Sequence, residues 1–194
     1  MRAVDRDGSW ALLCEHTKTD SLRKHHLAVE AAMRHFARKW GEPEEEWTVT
    51  GVLHDFDYEK FPNEHPQAGK PILEAAGVPP HIVRAIQSHG DHTGVARETR
   101  MEKTLYAVDE LSGFVIAVAL VRPSKRVADV DATAVRKKMK DKAFARAVDR
   151  EAMLRGADEL GIPFDELVGE VVRSLSGIAD ELGLGGVTAP SATS

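Results

Sequence analysis

The chain has a single cysteine, Cys14, among its 194 residues. One cysteine excludes an intramolecular disulfide framework and a zinc module built from cysteines. It is compatible with a reducing compartment, and the N-terminus lacks the basic-then-apolar pattern of a secretory signal. From these absences we expect a cytoplasmic protein.

Long apolar runs are missing as well. The longest extends from Phe114 to Val121, which is eight residues, and Arg122-Pro123 ends it. A transmembrane helix needs about 20 predominantly apolar residues, so the run predicts a buried helix and gives no reason to expect a membrane partner.

The chain also lacks an overall positive charge, since its formal net charge is −5. Proteins that bind nucleic acids are normally basic, so a nucleic acid partner is not expected. The positive charge that is present is concentrated in residues 122–142, where eight Lys and Arg against three Asp give +5. Such a run is usually a solvated helix face, and the alternative is a local attractor for an anionic substrate.

Apolar residues at helical spacing form the dominant pattern. One stripe, with N-cap candidates at 19–21 and helix breakers at Gly41 and Pro43, consists of Leu22, Val29, Met33, Phe36 and Trp40. A second helix is predicted after Pro43 and extends into His54-Asp55. Further helices are predicted at about 66–76, 80–89, 98–120, 133–140, 142–160 and 163–183, with loops at 57–66 and 122–133.

The absence of any useful alternating strand pattern and of internal repeats makes the predicted fold all-α, built by helix packing. We expect a single domain over residues 1–184, with a C-terminal helical extension over about 133–184. Residues 185–194 are rich in Gly, Ser, Thr and Pro and are predicted to form a flexible tail.

His54 and Asp55 place an imidazole beside a carboxylate at the end of an apolar stretch. Adjacent residues on a helix point about 100° apart, so both reach one centre only if further ligands arrive from other segments. The candidates are His25, His65, His89 and Asp109. Periodicity does not choose between His25 and His26, because both lie beside the apolar stripe.

A buried carboxylate at Asp109, which lies among Tyr106, Val108 and Leu111, costs several kcal/mol unless it is paired or bound to a cation. Imidazole and carboxylate together suit a divalent transition metal such as Mn, Fe, Co, Ni or Zn. Two carboxylates and up to four imidazoles exceed what one closed tetrahedral zinc needs. The surplus allows one metal with open positions or two metals that share a carboxylate.

The order His25, His54-Asp55 and Asp109 on consecutive helices resembles the HD superfamily of metal-dependent phosphohydrolases. Residues 24–30 (KHHLAVE) look like the helix of the first histidine, and residues 105–111 (LYAVDEL) like that of the last aspartate. Residues 51–59 (GVLHDFDYE) resemble the LLHDxDYE segment of a small HDIG-type subgroup. The similarity continues through 118–125 to about residue 184 and implies an HD-domain helical bundle.

The resemblance implies that His25, His54, Asp55 and Asp109 bind a first metal. Binuclear members commonly add two histidines. Here His65 lies in HPQAG, similar to their HPxxG segment, and His89 falls where the HD-GYP cyclic dinucleotide phosphodiesterases carry a His-His pair.

This chain departs from the HD-GYP pattern, because Gly90 follows His89 and no Gly-Tyr-Pro comes after it. The departure argues against hydrolysis of cyclic-di-GMP. His92 is a candidate substitute for the missing ligand. His26 stands where the subgroup more often has a small polar residue, so it either supports a ligand or is a simple substitution.

The implied activity is hydrolysis of a phosphate ester, either a nucleotide or another phosphomonoester or diester, by metal-activated water. Asp55 and His54 are the expected catalytic residues, and the metal is expected to lower the pKa of its water toward about 7. Arg122 and Lys125 follow the Asp109 helix and, with Lys24, are candidates to contact a small anionic phosphorylated substrate. A solvated surface position is the alternative for all three.

Two other functions fit the same ligands. A diiron oxygenase of the HD fold would use the six side chains for iron, although the dedicated substrate-binding insertions of such enzymes are not seen. A non-enzymatic metal-binding sensor or scaffold would keep the site for structure. The sequence leaves open the substrate, the native metal, the number of ions and the oligomeric state.

Overall fold

The computed structural model describes residues 4–186, and within them it contains ten α-helices and no strand, which confirms the predicted all-α class. In chain order the helices are α1 (Arg6–His16), α2 (Asp20–Trp40), α3 (Glu44–Leu53), α4 (Lys70–Ala75), α5 (Pro80–Ser88), α6 (Arg100–Leu120), α7 (Ala132–Met139), α8 (Arg150–Leu160), α9 (Phe164–Ser176) and α10 (Ala179–Leu182). Short 3-10 turns lie at 91–93 and 127–129. None of the helices in this part of the chain combines the length and the apolar character needed to cross a membrane.

Helix α2 forms as its apolar stripe predicts. Ala28, Val29, Met33 and Phe36 are fully buried on one side, and the helix ends at Gly41. Gly41 adopts the left-handed conformation (φ 69°) while its N–H bonds back to carbonyl oxygens of the last turn. Glycine reaches that conformation without the steric penalty of a side chain, which explains the sharp end.

The apolar side chains form two clusters. The larger one joins α2 and α6 to the C-terminal helices, and includes Phe36, Leu111, Met153 and Leu167. The smaller one joins α1, α3, α4 and α5 around Val52 and neighbouring residues. The helices predicted as a C-terminal extension therefore share the main core with α2 and α6.

Helices α2 and α3 pack at unusually close range around Gly51. A Cβ atom at this position would lie 2.8 Å from the Cα of Glu30 and 3.1 Å from the carbonyl oxygen of Val29. Only glycine lets the two backbones approach this closely. The approach brings His54, one turn further along, beside α2.

Several predicted boundaries are wrong. The helix predicted over 142–160 begins only at Arg150, because the Arg150 guanidinium bonds to the carbonyl oxygens of Ala145 and Val148, and Asp149 caps the helix start. The helix predicted over 66–76 is limited to α4, and that over 163–183 is interrupted at 177–178 between α9 and α10.

Other differences concern the loops and the chain ends. The predicted surface loop at 122–133 includes the buried side chains of Val127 and Val130, and α1 was not predicted. In the predicted tail, Gly185 pairs with Arg126 through an isolated β-bridge. Residues 187–194 lie outside the described part of the chain.

The close packing at Gly51 is testable by a pair of alanine substitutions. Gly51→Ala is expected to lower the free energy of unfolding by about 1–3 kcal/mol, because the new methyl group meets backbone atoms that cannot rotate away. Gly169→Ala is the matched control in α9, where a Cβ meets nothing within 4 Å. The control should gain about 0.5–1 kcal/mol from helix propensity. Urea unfolding measures both, and equal stability of the two variants would contradict the packing argument.

Candidate metal centre

Four predicted ligands converge from three helices. His25 on α2 and Asp109 on α6 are 2.9 Å apart between Nε2 and Oδ1. His54, which follows α3, lies 3.2 Å from His25 and 3.4 Å from Asp109, and 3.7 Å from Oδ2 of Asp55. We call His25, His54, Asp55 and Asp109 the first cluster. The nitrogen and oxygen atoms that could coordinate a metal all lie within 4.8 Å of one another, close enough to hold one ion.

A second group shares Asp55. Oδ1 of Asp55 is 2.9 Å from Nε2 of His65 and 3.0 Å from Nε2 of His89, and the two imidazole nitrogens are 3.2 Å apart. We call Asp55, His65 and His89 the second cluster, which also fits one ion. Because Oδ2 of Asp55 faces His54 in the first cluster, its two oxygens face different clusters.

The three histidines around Asp55 all point Nε2 toward the centre. Nδ1 of His54 is 2.8 Å from the carbonyl oxygen of Gly51, and Nδ1 of His89 is 2.6 Å from that of Ile86. Nδ1 of His65 is 2.6 Å from the carboxylate of Asp57. Since carbonyl and carboxylate oxygens only accept hydrogen bonds, each Nδ1 donates, and a ring that carries no second proton presents an Nε2 lone pair to the centre.

Helix ends position two of these rings by the same local arrangement. His54 and His89 directly follow the last residues of α3 and α5, and each bonds through Nδ1 to the carbonyl oxygen three residues earlier. The last carbonyls of a helix have no N–H partner four residues on, so each imidazole can donate to one of them while its ring turns inward. The Ile86 carbonyl also accepts from the backbone N–H of His89 at 3.5 Å. Both side chains are buried.

In the centre, Nε2 atoms and carboxylate oxygens lie close together, and all of them are hydrogen-bond acceptors unless a ring takes up a second proton. Burial opposes a charge on His65, but hydrogen bonds with Asp55 and Asp57 outweigh it and raise the pKa of His65 to about 10. Burial is likewise outweighed at His54 and His89, whose pKa values are raised by the nearby carboxylates. The environment thus demands positive charge, which a metal ion bound to the Nε2 and carboxylate atoms would supply.

The clusters face a cavity of about 410 Å³. Asp55, His65, His89 and Asp109 line it, together with Tyr58, Gly90, Asp91, His92, Tyr106, Glu110, Asp149 and Ala152. Within residues 4–186, no Lys or Arg lines this cavity. Burial, with a smaller effect from the charge of Asp109, raises the pKa of Glu110 to about 7.

A charged network fixes one wall of the cavity. The hydroxyl of Tyr106 donates to Asp91 at 2.9 Å, and the guanidinium groups of Arg97 and Arg155 also bond to Asp91 at 2.9 Å. Arg97 additionally lies over the Tyr106 ring, 3.6 Å from its centre. No sequence pattern predicts this network, because its members come from distant segments without a shared motif.

The structure does not bring the predicted substrate contacts to the cavity. Arg122 follows Asp109 by 13 positions, just past the end of α6, so at about 1.5 Å per residue it lies about 20 Å further along the helix direction. Lys125 lies in the turn that follows, where its N–H donates to the Arg122 carbonyl. Lys24 bonds to Asp20 at 3.0 Å. None of the three lines the cavity.

The two remaining histidines of interest lie beside the clusters. His92 lines the cavity, but its Nε2 donates to the backbone carbonyl of His65 at 2.9 Å. His26 is buried, bonds through Nδ1 to the carbonyl oxygen of Val52 at 2.8 Å and packs against the His54 ring. Burial lowers the pKa of His26. The structure places His25, and not His26, in the first cluster.

Comparisons with known proteins add no identification. A scan against models of protein families found no match, and searches among curated proteins and among solved structures found none either. The resemblance to the HD superfamily therefore stays a prediction that rests on the sequence motifs.

Metal content distinguishes the two clusters. We expect the wild-type protein to hold two divalent ions per chain, His65→Ala to hold one and Asp55→Ala to hold none, because Asp55 serves both clusters. His81→Ala is the control, since His81 is exposed and pairs with Glu46 away from the cavity. Elemental analysis after dialysis measures the ratio, and two ions retained by His65→Ala would rule out the second cluster as an ion site.

Proposed function

We propose that the protein is a metal-dependent hydrolase of a phosphate ester. The observation that carries the proposal is the position of two acceptor clusters, joined by Asp55, beside one cavity. When bound there, divalent transition metals would lower the pKa of a coordinated water toward about 7 and offset negative charge on a phosphoryl group.

Different residues would bind each of two ions. His25, His54 and Asp109 would hold one ion and His65 and His89 the other, and Asp55 would serve both. The Nδ1 bonds of His54, His65 and His89 hold these rings in orientation before any ion arrives. Such fixed ligand orientation is the support that metal sites depend on.

Charge in the cavity indicates what part of a substrate would enter. The described lining contains no Lys or Arg, so only the bound ions could neutralise the charge of a phosphoryl group there. A second phosphoryl group would face Glu110 and Asp149, and a nearby guanidinium, that of Arg155, already pairs with Asp91 and Asp149. We therefore expect a compact ester with a single phosphoryl group, which the cavity volume of about 410 Å³ accommodates.

A substrate panel tests the activity. Protein loaded separately with Mn, Co, Fe, Ni or Zn should release phosphate from compact monophosphate esters, including under anaerobic conditions. It should act less well on diphosphates and triphosphates of the same alcohol. Oxygen consumption that requires iron, without phosphate release, would favour an oxygenase and contradict the proposal.

The role of Asp55 is tested by kinetics. In Asp55→Ala, kcat/KM should fall by more than about 100-fold, because changes to groups that merely support metal ligands already cost about 10–100-fold. His81→Ala should leave kcat/KM unchanged. Unaltered activity in Asp55→Ala would place the reaction elsewhere in the molecule.

A further inference from the structure

Asp57 is a buried carboxylate that belongs to neither cluster. Its side chain has no exposure to solvent. Oδ1 lies 2.6 Å from Nδ1 of His65, and Oδ2 has no hydrogen-bond partner among the described residues. A buried carboxylate with one unbonded oxygen is costly, so its presence needs a physical explanation.

The surrounding chain holds this carboxylate in place. A Cβ on Gly69 would lie 2.7 Å from Oδ2 of Asp57 and 2.7 Å from the ring of Phe56. Gly69 has φ −72°, which any residue adopts, so the close approach of Asp57 is what requires glycine there. The carboxylate therefore has little room to rotate away from His65.

His65 differs from the other two histidines around Asp55 in how its ring is oriented. His54 and His89 each use a carbonyl at the end of the preceding helix. His65 lies in the turn region between α3 and α4, where its Nδ1 bonds to a side chain rather than to a carbonyl of its own segment. Asp57 takes the place of the helix carbonyl.

We propose that Asp57 is a positioning residue that makes His65 a metal ligand. It keeps the ring proton on Nδ1 and leaves Nε2 directed at Asp55 and His89, 2.9 and 3.2 Å away. The inference rests on the proposed metal centre. An ion bound to His65 also places positive charge next to Asp57, which offsets the cost of burying its unpaired oxygen.

Metal binding by two Asp57 variants tests the inference. In Asp57→Ala, affinity for the second ion should fall about 10–100-fold, while affinity for the first ion stays unchanged. Asp57→Asn keeps an oxygen that can accept from Nδ1 but removes the charge, so it should lose less. Titration with Zn²⁺ against a competing chelator measures both affinities, and elemental analysis counts the ions.

The matched control is Glu170→Gln. Glu170 forms a carboxylate–histidine pair with His35 at the same distance, 2.6 Å, and is also buried, but neither residue lines the cavity. If Asp57 had only a structural role, the two carboxylates would behave alike. We expect Glu170→Gln to bind two ions with wild-type affinity, whatever its effect on thermal stability.

The outcomes separate the inference from the proposed function. Two ions bound with wild-type affinity by Asp57→Ala would overturn the positioning role and leave the metal centre intact. No ion in the wild-type protein would overturn both. If Asp57→Ala does not fold, Asp57→Asn decides: unchanged affinity for the second ion contradicts the inference, and a selective loss at that ion supports it.

Discussion

The convergence of acceptor atoms around Asp55 is the constraint on which the rest of the structure depends. Two carboxylates and four imidazoles form two groups that share Asp55, in each of which the possible ligand atoms lie within 4.8 Å of one another. Three of the rings already donate through Nδ1 to other acceptors. Such a cluster is stable only if protons or cations enter it. The orientation of the rings suits metal ions, because several Nε2 lone pairs converge on shared points where one ion can bind them together. Protons would compete for the same lone pairs.

The helical fold produces this convergence at the boundary between its two apolar clusters. Helices α2 and α6 belong to the larger cluster and carry His25 and Asp109, whereas α3 and α5 contribute to the smaller cluster and end beside His54 and His89. Close backbone contact at Gly51 brings His54 to α2. Stability and site geometry are therefore linked, since loosening the α2–α3 contact would also displace a ligand.

The sequence was informative where local chemistry decides the structure. The stripe and breakers of α2 predicted its limits, and the burial cost of Asp109 pointed to a cation. Periodicity could not choose between His25 and His26, because both flank the same stripe. The motif resemblance pointed to His25, which the structure places in the first cluster. Asp57 was assigned to a loop, and its burial depends on how the turn region folds over Phe56 and Gly69. The start of α8 depends on Arg150 bonds that no periodicity reveals.

The most direct test of the metal centre is a crystal structure of the manganese-loaded protein, with anomalous diffraction data that locate the ions. We expect two anomalous peaks, one on each side of the Asp55 carboxylate, with His25, His54 and Asp109 around one and His65 and His89 around the other. An absence of any peak within coordination distance of Asp55, in protein shown by elemental analysis to contain manganese, would contradict this arrangement.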